Sequence, residues 1–230
     1  MINLKGLNRL SMAGLGAVFA FTLLSSKAEA AVVTLDFEGI GDQQPVGDFY
    51  KDDFGITFSP IALSIIDQDA GGTGNFGGEP SPDTILFFLE GASAVMNVEN
   101  GFDTGFSFFY SAINQPGFIN VWDGLNSTGN LLTTLALPLT PSNGAPDPNG
   151  AFSPLVPFGV NFNGVAKSVD FGGTVNQVGF DNITLGSATP GGVTEEVPEP
   201  LTILGTLTAG AFGTQFMKKR KKMQAAKSEA

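Results

Sequence analysis

Residues 105–111 read Gly105-Phe106-Ser107-Phe108-Phe109-Tyr110-Ser111. An extended chain alternates its side chains, so Phe106, Phe108 and Tyr110 share one face and Ser107, Phe109 and Ser111 the other. A helix would scatter both sets around its axis. The stretch therefore predicts a strand with one large aromatic face, of the kind that packs against a second sheet. Similar short runs of β-branched and aromatic residues, cut by Gly, Pro, Asn and Asp, recur along the chain. They predict strands at 32–37, 56–58, 62–66, 84–89, 94–98, 118–122, 131–137, 158–162, 166–171 and 177–185. Helical periodicity is hard to find between them, and no internal repeat is present. The expected fold is all-β, an antiparallel β-sandwich of jelly-roll-like form, over residues 31–187. Gly/Pro-rich stretches at 68–82 and 141–154 read as long loops, and 188–197 as a linker.

Composition removes several functions. The 230-residue chain has no Cys and no His. Disulfides, His-based triads and zinc sites built from His or Cys are therefore excluded. Of 22 acidic residues, only Glu29, Glu199 and Glu229 lie outside residues 31–197, leaving 19. Of 11 basic residues, only Lys51 and Lys167 lie inside, so this segment carries a net charge of −17. Nucleic acid and anionic lipid surfaces need the opposite sign and are excluded as partners. The charge is compatible with divalent cations and with solubility outside a cell.

The two ends read as processing segments. Lys5 and Arg9 precede the apolar run Leu10 to Leu24, and Ala28-Glu29-Ala30 is an A-x-A cleavage site, so residues 1–30 form a secretory signal peptide removed by signal peptidase. At the other end stands Val197-Pro198-Glu199-Pro200, followed by an uncharged stretch at 201–217. As a helix that stretch spans about 25 Å, close to a bilayer's hydrocarbon core. Lys218, Lys219, Arg220, Lys221 and Lys222 follow at once and hold that end in the cytoplasm, with the preceding domain outside. Residues 223–230 form a short cytoplasmic tail.

The motif, the span and the basic block together resemble the PEP-CTERM sorting signal, here at residues 198–222. The resemblance implies an exported bacterial protein, anchored transiently in the inner membrane, cut by an exosortase and released to the cell surface or extracellular matrix. It implies nothing about activity, because the outer domains of that family are unrelated to one another.

Two regions of the domain carry candidate sites. The opening strand ends Asp36-Phe37-Glu38 and the closing one contains Asp181-Asn182. Openings and closings of this kind are similar to those of jelly-roll carbohydrate-binding modules and lectin-like domains. That resemblance implies pairing of the first and last strands and a structural calcium shared by Asp36, Glu38, Asp181 and Asn182, against the alternative of solvated strand ends. A second acidic stretch, Asp67 to Asn75, approaches a calcium loop but places Gly71 and Gly78 where an EF-hand needs ligands.

The other candidate is Phe118-Ile119-Asn120-Val121-Trp122. Period two puts Phe118, Asn120 and Trp122 on one face. An amide beside the chain's single Trp suits a glycan, while a core role for Trp122 is the alternative. No Glu-x-Asp-x-Glu strand is present to suggest a jelly-roll glucanase. The expected function is therefore that of a non-catalytic cell-surface or matrix protein. Alternatives are a carbohydrate-binding module for extracellular polysaccharide, with Asn120 and Trp122 as its glycan contacts, and a glycan-active enzyme.

Overall fold

A computed structural model describes residues 32–142 and 150–192. The signal peptide, the end of the linker, the motif at Val197 to Pro200, the span, the basic block and the tail lie outside the described residues. Among the described residues, no helix is long and apolar enough to cross a membrane.

The chain forms two antiparallel sheets. One holds β1 (Val33–Leu35), β2 (Gln44–Pro45), β4 (Leu63–Ile66), β5 (Thr84–Phe87), β7 (Gly105–Ser111), β10 (Val156–Asn161) and β12 (Gly179–Leu185). Its order is β10-β7-β12-β5-β4-β2, with β1 added beside β12. The other is β3-β6-β11-β8-β9, built from β3 (Ile56–Phe58), β6 (Ser93–Phe102), β11 (Ala166–Gly173), β8 (Gly117–Trp122) and β9 (Leu131–Leu137). The first and last strands pair, with Val33 opposite Leu185 and Leu35 opposite Ile183.

The aromatic face of β7 is the centre of the core. Phe106, Phe108 and Tyr110 are at most 2% exposed. Phe108 packs edge-on against Phe180 at 5.8 Å, Phe180 against Phe171 at 5.1 Å, and Phe171 against Phe106 at 6.0 Å. Phe171 belongs to the five-stranded sheet, so these rings join the two layers. Edge-on pairs add about 0.5–1.5 kcal/mol each beyond the area they bury.

The Ser107 side of β7 is covered as well. Ser107 and Ser111 are at most 1% exposed. Residues 187–188 cross this outer face: the Ser107 hydroxyl donates to the Ser187 carbonyl at 2.9 Å, and a Cβ on Gly159 would overlap the backbone of Ala188. Gly191 N–H donates to Thr184 Oγ1 at 3.0 Å. Residues 188–192, read from sequence as the start of a linker, are thus tied to the sandwich.

Two elements were not visible in the sequence. The two-residue strand β2 is too short to show a period. The single turn α1 (Lys51–Phe54) starts with Asp52 and Asp53 at its positive end and stops at Gly55, whose φ of 67° only glycine adopts without cost.

Candidate functional site

The outer face of the five-stranded sheet carries the glycan candidates. Ile119 and Val121 point inward and are fully buried, whereas Phe118, Asn120 and Trp122 on the opposite side are partly exposed. Period two therefore placed Asn120 and Trp122 on the outer face, and Trp122 is not a core residue. Phe118 and Trp122 stand four residues apart, about 13 Å along the strand.

Neighbouring strands complete this face through the register. Asn120 is opposite Asp170 on β11 and Thr134 on β9, Trp122 is opposite Ser168, and Phe118 is opposite Gly172. Gly172 matters for its missing side chain: a Cβ there would run into the Phe118 ring, so that ring lies across β11. The Trp122 indole N–H donates to Asp170 Oδ2 at 3.4 Å, and the Asn120 backbone N–H donates to Oδ1 at 3.1 Å. Asp170 lies two residues from Ser168, the cross-strand partner of Trp122, so this bond draws the indole along β11. Thr134 donates to the Asn120 side-chain oxygen at 2.7 Å. Burial pushes the Asp170 carboxyl above the usual carboxylate range, and the donors from Trp122 and Asn120 pull it back.

The edge of the face is equally fixed. Asp123 accepts from both the backbone N–H and the side chain of Asn130, at 2.6 and 2.8 Å, closing the β8–β9 connection. Ser168 donates to the Gly124 carbonyl and accepts from the Ser127 N–H. Asn97 and Asn126 exchange two hydrogen bonds. The result is a rigid surface with two aromatic rings flanking an Asn-Asp-Thr group. Such a surface can stack on flat apolar faces while hydrogen-bonding hydroxyls. Sequence reasoning found Asn120 and Trp122 but missed Asp170 and Thr134, which reach the site only through strand pairing.

The four residues expected around calcium are arranged differently. Glu38 accepts from the backbone N–H of Asp83 and Thr84 at 3.0 and 2.9 Å, and from the Thr84 hydroxyl at 3.1 Å. Asp181 is fully buried and accepts from Ser81 N–H, Ser81 Oγ and Asn182 N–H. Asp36 is exposed and accepts from the Glu38 N–H. Asn182 occupies a bulge with φ of 46°. Among the described residues, no group of three or more acidic side chains stands close enough to hold a metal. Glu38 and Asp181 instead clamp the residues before β5 onto the sheet.

Burial raises the Asp181 carboxyl to about 7, against the pull of its Ser81 and Asn182 donors and with a smaller push from Glu38. A raised carboxyl beside a second carboxylate is the pattern of a glycosidase acid. Catalysis also needs access, and the Asp181 side chain is covered by the Ser81 loop.

No family model and no curated protein matches the chain. Among solved structures it is similar to a carbohydrate binding module, CBM6cm-2 from Cellvibrio mixtus lichenase 5A, in complex with cellotriose; at 12% identity and a TM-score of 0.32, over 64% of this chain and 95% of that one, the likeness is too loose to argue from.

Proposed function

We propose that this chain is an exported, non-catalytic surface or matrix protein whose sandwich binds extracellular polysaccharide through the outer face of its five-stranded sheet. One observation carries the reading: the only Trp of the chain sits partly exposed on that face, its N–H held by Asp170, with Asn120 and Thr134 beside it. An apolar ring with a few fixed polar groups is the composition of a small-ligand site. The pairing of first and last strands and the repeated crossing between sheets support a jelly-roll-like description of the sandwich.

The delivery half of the proposal rests on sequence. The signal peptide, Pro198-Glu199-Pro200, the apolar stretch and Lys218 to Lys222 support export, exosortase processing and release from the inner membrane. Mass spectrometry of the protein recovered from cells tests it: the dominant form lacks residues 201–230, and a dominant form that retains them removes this half.

For the binding half, polysaccharide extracted from the producing cells should retain Trp122→Ala more weakly than wild-type protein. Because Trp122 is only partly buried, its truncation should cost about 1–2 kcal/mol rather than the 3–5 expected of a core Trp. A wild-type protein that ignores the matrix, or a Trp122→Ala protein that binds it equally, defeats the reading.

A further inference from the structure

The outer face of the seven-stranded sheet, on the opposite side of the sandwich, carries a groove of its own. The loop after β4 folds back over the sheet there, pinned by an isolated bridge between Asp67 and Gly74. Gly72 and Gly74 let it press against Ile66 and Phe76, where any Cβ would clash. A second bridge joins Phe76 to Phe152. Phe76, Ile85 and Leu155 form a small core beneath, separate from the main one. What this cover leaves open is a cleft of about 390 Å³ floored by Ile65, Phe87 and Leu89 and bordered by Gln43, Thr73, Asn75 and Asn176. It continues into a narrower cleft that shares Ile65, Asn75, Phe87 and Asn176.

Two features distinguish this groove from an incidental dent. First, none of its lining residues is charged, although the domain around it is strongly acidic. Second, the amides of Asn75 and Asn176 are presented on fixed backbone with their side chains unengaged. The Asn75 carbonyl accepts from Phe152 N–H at 3.0 Å, and Asn176 N–H donates to the Phe88 carbonyl at 3.0 Å. Among the described residues, neither Asn75 nor Asn176 makes a hydrogen bond through its side-chain amide. Each amide offers a donor and an acceptor together, which matches hydroxyl groups, and the floor matches an apolar ring face. Pre-set backbone lowers the ordering cost of binding. A cation would need a carboxylate in the groove, and an anion would be repelled by the domain.

We infer that this groove is a second binding site, specific for neutral glycan. It stands on its own observations and not on the Trp122 face. If both sites are occupied, they face opposite directions and one molecule bridges two polysaccharide chains.

The test is calorimetric titration of the full-length protein with neutral hexasaccharides (linear β-glucan, mannan and galactan) and with a hexauronate. Asn176 has φ of 56°, so Asn176→Gly removes the amide without backbone strain, and Asn75→Ala accompanies it. The double variant should bind the preferred neutral glycan at least tenfold more weakly with an unchanged Tm, and Trp122→Ala should leave that loss intact. Leu89→Glu, at a position 45% exposed, places a charge in the groove without disturbing the scaffold and should weaken binding as well. Wild-type affinity in both groove variants overturns the inference and leaves the Trp122 face untouched. Binding lost only in Trp122→Ala does the same. Tighter binding of hexauronate, or silence of the wild type toward the whole panel, also overturns it.

Discussion

Asp181 makes the stability of this domain depend on pH in an unusual direction. Its carboxyl titrates at about 7 in the folded chain against 3.8 for the free group, chiefly because burial disfavours its charge. Of the titratable groups beside it, Glu38 and Tyr50 are acidic, and among the described residues no cation offsets its charge. Below about pH 4, folded and unfolded states both hold the proton. Between about 4 and 7 the folded state keeps it while the unfolded state releases it, so stability falls as pH rises. Above 7 the penalty is constant. A separation of about three pH units corresponds to about 4 kcal/mol, an upper figure for a group that can relax.

Asp181→Asn isolates this effect. The amide oxygen can still accept from Asn182 N–H, and the amide nitrogen can donate to Ser81 Oγ, which turns its own proton to the Asp36 carbonyl 3.3 Å away. The Ser81 N–H loses its acceptor, at a cost of about 1 kcal/mol at every pH. Denaturant melts of wild type, Asp181→Asn and the exposed control Asp53→Asn at pH 5 and 8 separate the two contributions. The wild type and control should lose about 2–3 kcal/mol more than Asp181→Asn between those pH values, or about 4–12 °C in Tm for a domain of this size. Equal pH dependence in all three proteins would refute the reasoning.

Other expectations follow from single positions. Phe108→Ala, at the meeting of the aromatic pairs, should destabilise by about 3–5 kcal/mol in urea melts. Gly159→Val should force residues 187–188 off the outer face of β7, lowering Tm and opening the 187–192 segment to protease. Millimolar calcium at constant ionic strength should leave the melting curve unchanged, because the Glu38 and Asp181 oxygens are already engaged by N–H and O–H donors; a rise lost in Glu38→Gln would restore the calcium site.

What could be read from sequence was whatever has a local period. The alternation of Phe106, Phe108 and Tyr110 marked β7, and the alternation of Ile119 and Val121 against Asn120 and Trp122 sorted β8 into an inner and an outer face. Length limited the rest: β2, with two residues, and α1, with one turn, carry no period. Cross-strand register is not local either. Asp170 lies 48 residues from Trp122 and Ser81 lies 100 from Asp181, so neither the indole's acceptor nor the carboxylate clamp is visible from spacing. The same holds for the groove, since Asn75 and Asn176 sit on separate loops that only the sheet brings together. The linker boundary shifted for a physical reason, the space that Gly105 and Gly159 leave for Ala188.

Because Trp122 is the only Trp in the chain, its fluorescence reports the proposed binding face with no label. Titrating the protein with polysaccharide from the producing cells is therefore the most direct measurement of the central claim. Stacking of a sugar ring on the indole should displace water from it, shifting the emission to shorter wavelength and protecting it from acrylamide, with saturation at the affinity seen in the pull-down. Polysaccharide that binds the Asn75→Ala/Asn176→Gly protein while leaving the emission and its quenching unchanged would contradict the claim.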